Sequence, residues 1–205
     1  MVPGRAGLDV QHGRGGQGAV IASKILATAL FLEGKSVQSF PAFGVERRGA
    51  PVTAFLRTSE GPILLRCEIT KPDGLIVLDP TLIAAVDVAA GLKDGGYILI
   101  NAEGGPDAFP QLSSRFRVGT VDASGVAREH GLGSLNQPIV NTAILGAFAE
   151  FSGLVSLDSV CRAIEAEVTI KPANNVAAAR AAAAVLHTGD ASAPSSVRPA
   201  EVSRG

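Results

Sequence analysis

The sequence predicts an α/β protein, and three observations carry that reading. A short apolar strand runs into a glycine cluster and then into a long apolar helix. Two further apolar runs of strand length follow, each bounded by turn residues. From Asn141 onward strand signals vanish and helical periodicity takes over.

The elements follow in order. Leu8 to His12 reads as the first strand, interrupted by Gly13-Arg14-Gly15-Gly16-Gln17-Gly18. Ala19 to Glu33 is apolar on nearly every face, the mark of a buried helix, and Gly34 is its natural stop. Ser36 to Phe40 is the second strand, and Pro41 to Pro51 is a shaped loop rich in proline and glycine. Val52 to Arg57 and Ile63 to Cys67 flank Glu60-Gly61-Pro62, which predicts two antiparallel strands joined by a short turn. Leu75 to Leu78 is a buried strand ending at Asp79-Pro80, Leu82 to Leu92 a helix, and Tyr97 to Ile100 another buried strand. Residues 101–115 form a loop, Phe116 to Val121 the last strand, and Ala123 to His130 a short helix. Thr142 to Phe151, Leu157 to Val168 (with Asp158 as a cap) and Ala173 to His187 are helices. Val176 to Val185 is alanine-rich, a pattern equally suited to docking on a partner and to a poorly packed terminal helix. The Ser-, Pro-, Ala- and Gly-rich stretch Thr188 to Gly205 predicts a disordered tail, so the domain covers 1–187 and the tail 188–205.

Composition excludes several function classes. With 18 basic and 19 acidic residues the net charge is −1, which gives no long-range field for nucleic acid or an anionic membrane. No apolar run approaches the length of about 18 residues that a membrane helix needs, and the start lacks the apolar region of a signal peptide. Cys67 and Cys161 cannot build a disulfide framework and read as small core residues. An iron–sulfur cluster usually takes about four cysteines, so this chain is not expected to hold one alone. Few cysteines fit a reducing cytoplasm. His12, His130 and His187 are scattered, with no cysteine spacing to make a metal site.

Two segments point to chemistry. Gly13, Gly15 and Gly18 satisfy G-x-G-x-x-G between a strand and a helix. Glycines there let the backbone turn tightly and approach a phosphate, with the unpaired N–H groups of the helix start facing the anion. The same glycines can equally serve tight helix–sheet packing. A nicotinamide site would carry an acid at the end of the second strand; Val37-Gln38-Ser39-Phe40 has none, and there is no G-K-[ST] of an ATP loop. Lys24 is one of few charges in the apolar helix, placed either to reach back to a phosphate or to snorkel to water. The second segment holds Phe43, Gly44, Glu46, Arg47, Arg48 and Gly49. Its adjacent arginines suit a bidentate grip on phosphate or carboxylate, or a subunit contact. His12, beside the glycine loop, reads as structural or as a ligand contact, and Asp79 as a crevice residue or the start of a turn.

Gly13-Arg14-Gly15-Gly16-Gln17-Gly18-Ala19 and Phe40-Pro41-Ala42-Phe43-Gly44-Val45-Glu46-Arg47-Arg48-Gly49-Ala50-Pro51-Val52 together resemble the γ subunit of 2-oxoacid:acceptor oxidoreductases, of which pyruvate:ferredoxin oxidoreductase is the best known. The resemblance continues through Asp79-Pro80-Thr81-Leu82 and Asn141-Thr142-Ala143-Ile144-Leu145-Gly146-Ala147, and covers roughly residues 6–172. It implies a three-layer α/β/α, Rossmann-like domain with a mixed, mainly parallel sheet and a helical C-terminal part. It implies an enzyme that oxidatively decarboxylates a 2-oxoacid with coenzyme A (CoA) to acyl-CoA and CO2. Thiamine diphosphate and [4Fe-4S] clusters would lie on partner α, β and δ subunits, the last ferredoxin-like, in a cytoplasmic hetero-oligomer. The γ chain would carry no catalytic residue and would help to bind CoA. On that resemblance Gly13, Gly15, Gly16, Gln17, Gly18 and Lys24 would hold its phosphates, and Phe43, Gly44, Arg47 and Arg48 would border the CoA channel or a subunit interface. The alternatives are a stand-alone nucleotide- or CoA-binding module and an NAD-binding oxidoreductase.

Overall fold

The computed structural model describes residues 7–42, 50–64 and 67–189. Its centre is a seven-stranded sheet in the order β2 (Ser36–Pro41), β3 (Pro51–Ser59), β1 (Gly7–Arg14), β4 (Gly74–Val77), β5 (Tyr97–Asn101), β6 (Arg117–Val121) and β9 (His187–Thr188). The sheet is mixed and mainly parallel: β1, β2, β4, β5 and β6 point one way, and β3 and β9 oppose them. A separate two-residue-per-strand hairpin joins β7 (Gly133–Ser134) to β8 (Gln137–Pro138). Helices cover both faces. One carries α1 (Ala19–Leu32), α4 (Ala123–Glu129), α5 (Asn141–Ser152), α6 (Leu157–Glu167) and α7 (Pro172–Ala184); the other carries the single turns α2 (Leu82–Ala85) and α3 (Pro110–Ser113).

The β1–α1–β2 crossover skips one position, and antiparallel β3 fills the slot between β1 and β2. Val52 to Arg57 therefore pairs with β1 and β2, both earlier in the chain, and not with a strand across Glu60-Gly61-Pro62. The expected partner strand, Ile63 to Cys67, does not form among the described residues: Ile63, Leu64 and Cys67 have no strand pairing, and residues 65 and 66 lie outside the described residues. Three other expectations need correction. β1 does not stop at the first glycine but continues through Gly13 and Arg14, paired to Val52 and Pro51. The helix expected to reach Leu92 ends at Ala85, because β-branched Val86 is extended at φ −143° and the chain then turns to bury Val88 and Ala89. Phe116 to Val121 is not the last strand, since β7, β8 and β9 follow; β9 takes in Thr188, which the sequence reading put in the tail.

Helix α1 stops as its sequence predicts. Gly34 adopts φ +83°, its N–H reaches Phe31 O, and the Lys35 N–H reaches Leu30 O. The helix is not buried all round, however. Ile25, Leu26, Ala29 and Leu30 enter the core while Ile21 and Phe31 stay 52% and 68% exposed. Helix α6 is capped by Ser156, whose Oγ accepts the Ser159 N–H, and not by Asp158, which pairs with Arg180 instead. Helix α7 is no loose end. Ala178, Ala179 and Ala182 are fully buried, and α7 crosses α5 so closely that a Cβ on Gly146 would stand 1.8 Å from Ala179 O. Alanine and glycine are what that separation admits. Cys161 is buried as expected, but Cys67 is exposed. No helix among the described residues is long and apolar enough to cross a membrane. The expected tail beyond Gly189 lies outside the described residues.

Candidate functional site

Strands β1, β4, β5 and β6 end on the same edge of the sheet. At that edge β1 and β4 are parallel neighbours, yet the chain leaves β1 toward β2 and β3 and leaves β4 toward β5 and β6. Such a reversal opens a crevice beyond the strand ends. A cleft of about 660 Å³ lies there. One wall is Arg14, Gly15, Gly16 and Gln17; the opposite wall is the β7–β8 hairpin with Ile139 and Val140; Ser124 also lines it.

On the face that α1 covers, three helices begin at this edge. The α1 N-terminus follows Gly18, which has φ +81° and caps with no side chain. The N–H groups of Ala19, Val20 and Ile21 precede the first intrahelical bond, from Ala22 N to Gly18 O at 2.8 Å, so they have no helical acceptor. The α4 N-terminus is capped by Asp122, whose Oδ1 accepts the Gly125 N–H at 2.7 Å. The α5 N-terminus abuts α1, with the buried Asn141 amide against Gly18. Converging helix starts put backbone donors and positive dipole ends around one cleft, which favours an anionic ligand.

The glycines divide the work. Gly13 lies inside β1, where a Cβ would come within 3.3 Å of Ala19 Cβ, so it serves helix–strand packing. Gly15 is docked through its N–H on Ala50 O at 2.9 Å. Gly16 turns at φ +103° with nothing within 4 Å of a Cβ, so its backbone is open to a ligand.

Gln17 and Arg14 are fixed by Asp79. Asp79 Oδ2 accepts Arg14 Nε at 3.0 Å and Gln17 Nε2 at 3.1 Å. Its Oδ1 accepts the Thr81 N–H at 2.9 Å and the Thr81 hydroxyl at 2.6 Å. Burial alone would raise the Asp79 carboxyl, but the bonds from Thr81 and Gln17 and the charge of Arg14 outweigh it and hold it below the ordinary carboxylate range. Burial also holds the His12 imidazole below its ordinary value, which favours the neutral ring.

The remaining predicted residues lie elsewhere. Lys24 does not line the cleft: its exposed ammonium is 2.7 Å from Glu167 Oε2 on α6. Phe43, Gly44, Arg47 and Arg48 lie outside the described residues, whose nearer boundary, Ala50, touches the glycine loop. The sequence reading missed Ser124, the hairpin wall and Asn101. The Asn101 amide donates to Leu78 O at 2.9 Å and to Ser124 Oγ at 3.0 Å, tying the ends of β4 and β5 to α4. A lone amide ending the apolar run Tyr97 to Ile100 was the available signal. Among the described residues no three His, Cys, Asp or Glu side chains cluster as metal ligands would.

A family model described as pyruvate ferredoxin/flavodoxin oxidoreductase matches residues 9–185. The common γ subunit of the pyruvate/ketoisovalerate oxidoreductases of Thermococcus kodakarensis is 53% identical over 156 residues, which is 75% of this chain and 82% of that one. The pyruvate oxidoreductase subunit PORC of Thermotoga maritima superposes with a TM-score of 0.77 at 29% identity, covering 91% of this chain and 99% of that one. The 2-oxoglutarate:ferredoxin oxidoreductase of Magnetococcus marinus, solved with 2-oxoglutarate, coenzyme A and succinyl-CoA bound, shares the fold at 19% identity and a TM-score of 0.67. There the match covers 91% of this chain and 32% of the longer one.

Proposed function

The chain belongs to the pyruvate ferredoxin/flavodoxin oxidoreductase family, and from that membership we propose that it is the γ subunit of a 2-oxoacid:ferredoxin oxidoreductase in which it holds the nucleotide end of CoA. The reaction would convert a 2-oxoacid and CoA to acyl-CoA and CO2, passing two electrons to the acceptor. Thiamine diphosphate and [4Fe-4S] clusters on companion α, β and δ chains would supply the carbon and electron chemistry.

One observation carries the CoA reading: the glycine turn, open at Gly16, lies with three helix starts around a single cleft. The residues fit the ligand. The open backbone at Gly16 and the unpaired N–H groups at the α1 start suit phosphate oxygens, and Ser124 and the hairpin suit neutral polar contacts. Lys24 is left out of this set because Glu167 engages its ammonium. A dinucleotide reading fits less well. Its ribose acid belongs at the end of a strand beside β1, and that position is taken by antiparallel β3. Binding energy gathered at the phosphates, far from the thiol, would serve to position the thiol for reaction.

The test is purification of the tagged chain with whatever accompanies it, followed by assay of iron and thiamine diphosphate and titration with CoA and with NAD. Stoichiometric companions carrying both groups, and CoA binding in preference to NAD, are expected. A lone chain that binds CoA would favour the stand-alone module, and preference for NAD would overturn the ligand.

A further inference from the structure

The last rung between β1 and β4 is the bond from Leu78 N to His12 O at 2.8 Å. Beyond it the two strands part. β1 runs on beside β3, while β4 turns off at Asp79-Pro80. The backbone ladder that orders the sheet therefore stops just where the glycine loop begins. Asp79 stands in this fork with its side chain 12% exposed. Its two oxygens have separate tasks. Oδ1 is held by the Thr81 N–H and hydroxyl, which fixes the carboxylate plane on its own strand. Oδ2 faces across the fork and receives Arg14 Nε and Gln17 Nε2.

The consequence for Gln17 is specific. Its Nε2 is taken by Asp79 and its Oε1 accepts the Arg14 N–H at 2.8 Å, so both ends of the amide are committed and its orientation is set. Arg14 is held at three points: N–H on Gln17, Nε on Asp79, and Nη2 on Thr81 Oγ1 at 2.9 Å. Both residues line the cleft. An acceptor-only group is required at Oδ2, because both of its partners are donors. An amide in place of the carboxylate presents either one oxygen to two charge-assisted donors or an NH2 that repels them.

We infer that Asp79 is a positioning residue for the ligand of the cleft: its carboxylate locks Arg14 and Gln17, and through them the Arg14–Gln17 turn, in the shape that receives the anion. This rests on the CoA reading above. Asp79 touches no ligand itself; it acts through the two residues it holds.

The test uses the assembled complex and Asp79→Asn, which keeps size and shape. The CoA dissociation constant by calorimetry is expected to rise about tenfold, the loss of charge-assisted hydrogen bonds being worth at least that. The KM for CoA should rise with it, while the KM for the 2-oxoacid and kcat at saturating CoA stay within twofold. Parallel loss of kcat and of both KM values would show a merely structural residue and overturn the inference. If Asp79→Asn does not assemble, Thr81→Val decides: it removes a donor to Oδ1 and the acceptor of Arg14 Nη2, and should weaken CoA two- to fivefold, whereas no change overturns the inference. Asn136→Trp separates the two claims. It crowds the cleft from the β7–β8 hairpin, away from Asp79, Arg14 and Gln17. If Asn136→Trp weakens CoA and Asp79→Asn does not, the positioning role alone fails. If neither does, the CoA reading fails and the positioning role with it.

Discussion

Gly18 and Asn141 meet where two helices begin. A Cβ on Gly18 would stand 2.6 Å from Asn141 Nδ2, and Gly18 already adopts φ +81°. Glycine is required twice there, for the backbone conformation and for the approach of the amide. Gly18→Ala is expected to cost about 2 kcal/mol or more, combining left-handed strain with displacement of a buried amide. Urea unfolding that shows a loss below about 0.5 kcal/mol would contradict the geometry.

The crossing of α5 and α7 makes a sharper demand. At Gly146 a Cβ would meet the Ala179 carbonyl at 1.8 Å, a backbone atom that cannot rotate away. Gly146→Ala is expected to cost at least about 3 kcal/mol. Gly153→Ala is the internal comparison: at φ +64° with open space around it, it should cost about 1 kcal/mol from backbone strain alone. Equal midpoints for the two variants would refute this ordering.

Acid should unlock the Asp79 fork. The folded carboxyl lies below its unfolded value, so its contribution is complete above about pH 4 and disappears as pH falls through the folded value. Glu33 and Glu167 are lowered too and act in the same direction, so the measurement is a difference. Asp79→Asn should flatten part of the fall in stability with acid below pH about 4, seen as a shrinking gap between wild type and variant. A gap constant across that range would contradict the linkage.

Lys24→Ala should be nearly silent. Its ammonium is exposed and its partner Glu167 also accepts the Thr28 hydroxyl at 2.9 Å. The expected loss is within about 0.5 kcal/mol, the usual worth of an exposed pair. CoA affinity should be unchanged. A tenfold weakening would return Lys24 to the ligand set.

Ser156→Ala should cost about 1 kcal/mol as a lost N-cap, and Asp158→Ala clearly less. Thermal unfolding of the pair checks which residue begins α6.

Local patterns were legible in the sequence. The strand–glycine–helix opening, the Gly34 stop, the apolar strands at Leu75 and Tyr97 and the three C-terminal helices each depend on neighbours a few residues away. What was hidden depends on residues far apart. Val52 to Arg57 pairs with both β1 and β2 because the α1 crossover leaves a gap, and no spacing announces that. Leu82 to Leu92 has helical periodicity, but burying Val88 and Ala89 outweighs it. Within the site the turn Gly15 to Gly18 was readable, since glycine has few reasons to cluster. The hairpin wall, Asn101 and Ser124 were not, because an amide or hydroxyl signals nothing until its partner is known. The partner of Lys24 was hidden for the same reason: Glu167 lies over a hundred residues away.

The sheet border at β2 has a consequence for the free polypeptide. Because the Ala42 N–H reaches Thr53 O, alternate residues of β2 turn their N–H groups inward, and those of Val37, Ser39 and Pro41 face outward. At Pro41 that outward position is an imino nitrogen with nothing to donate. The opposite border is β9, two residues long. Among the described residues neither side offers a long row of donors on which another strand could grow, so these two borders give copies made in excess of their companions little template for stacking edge to edge into fibrils.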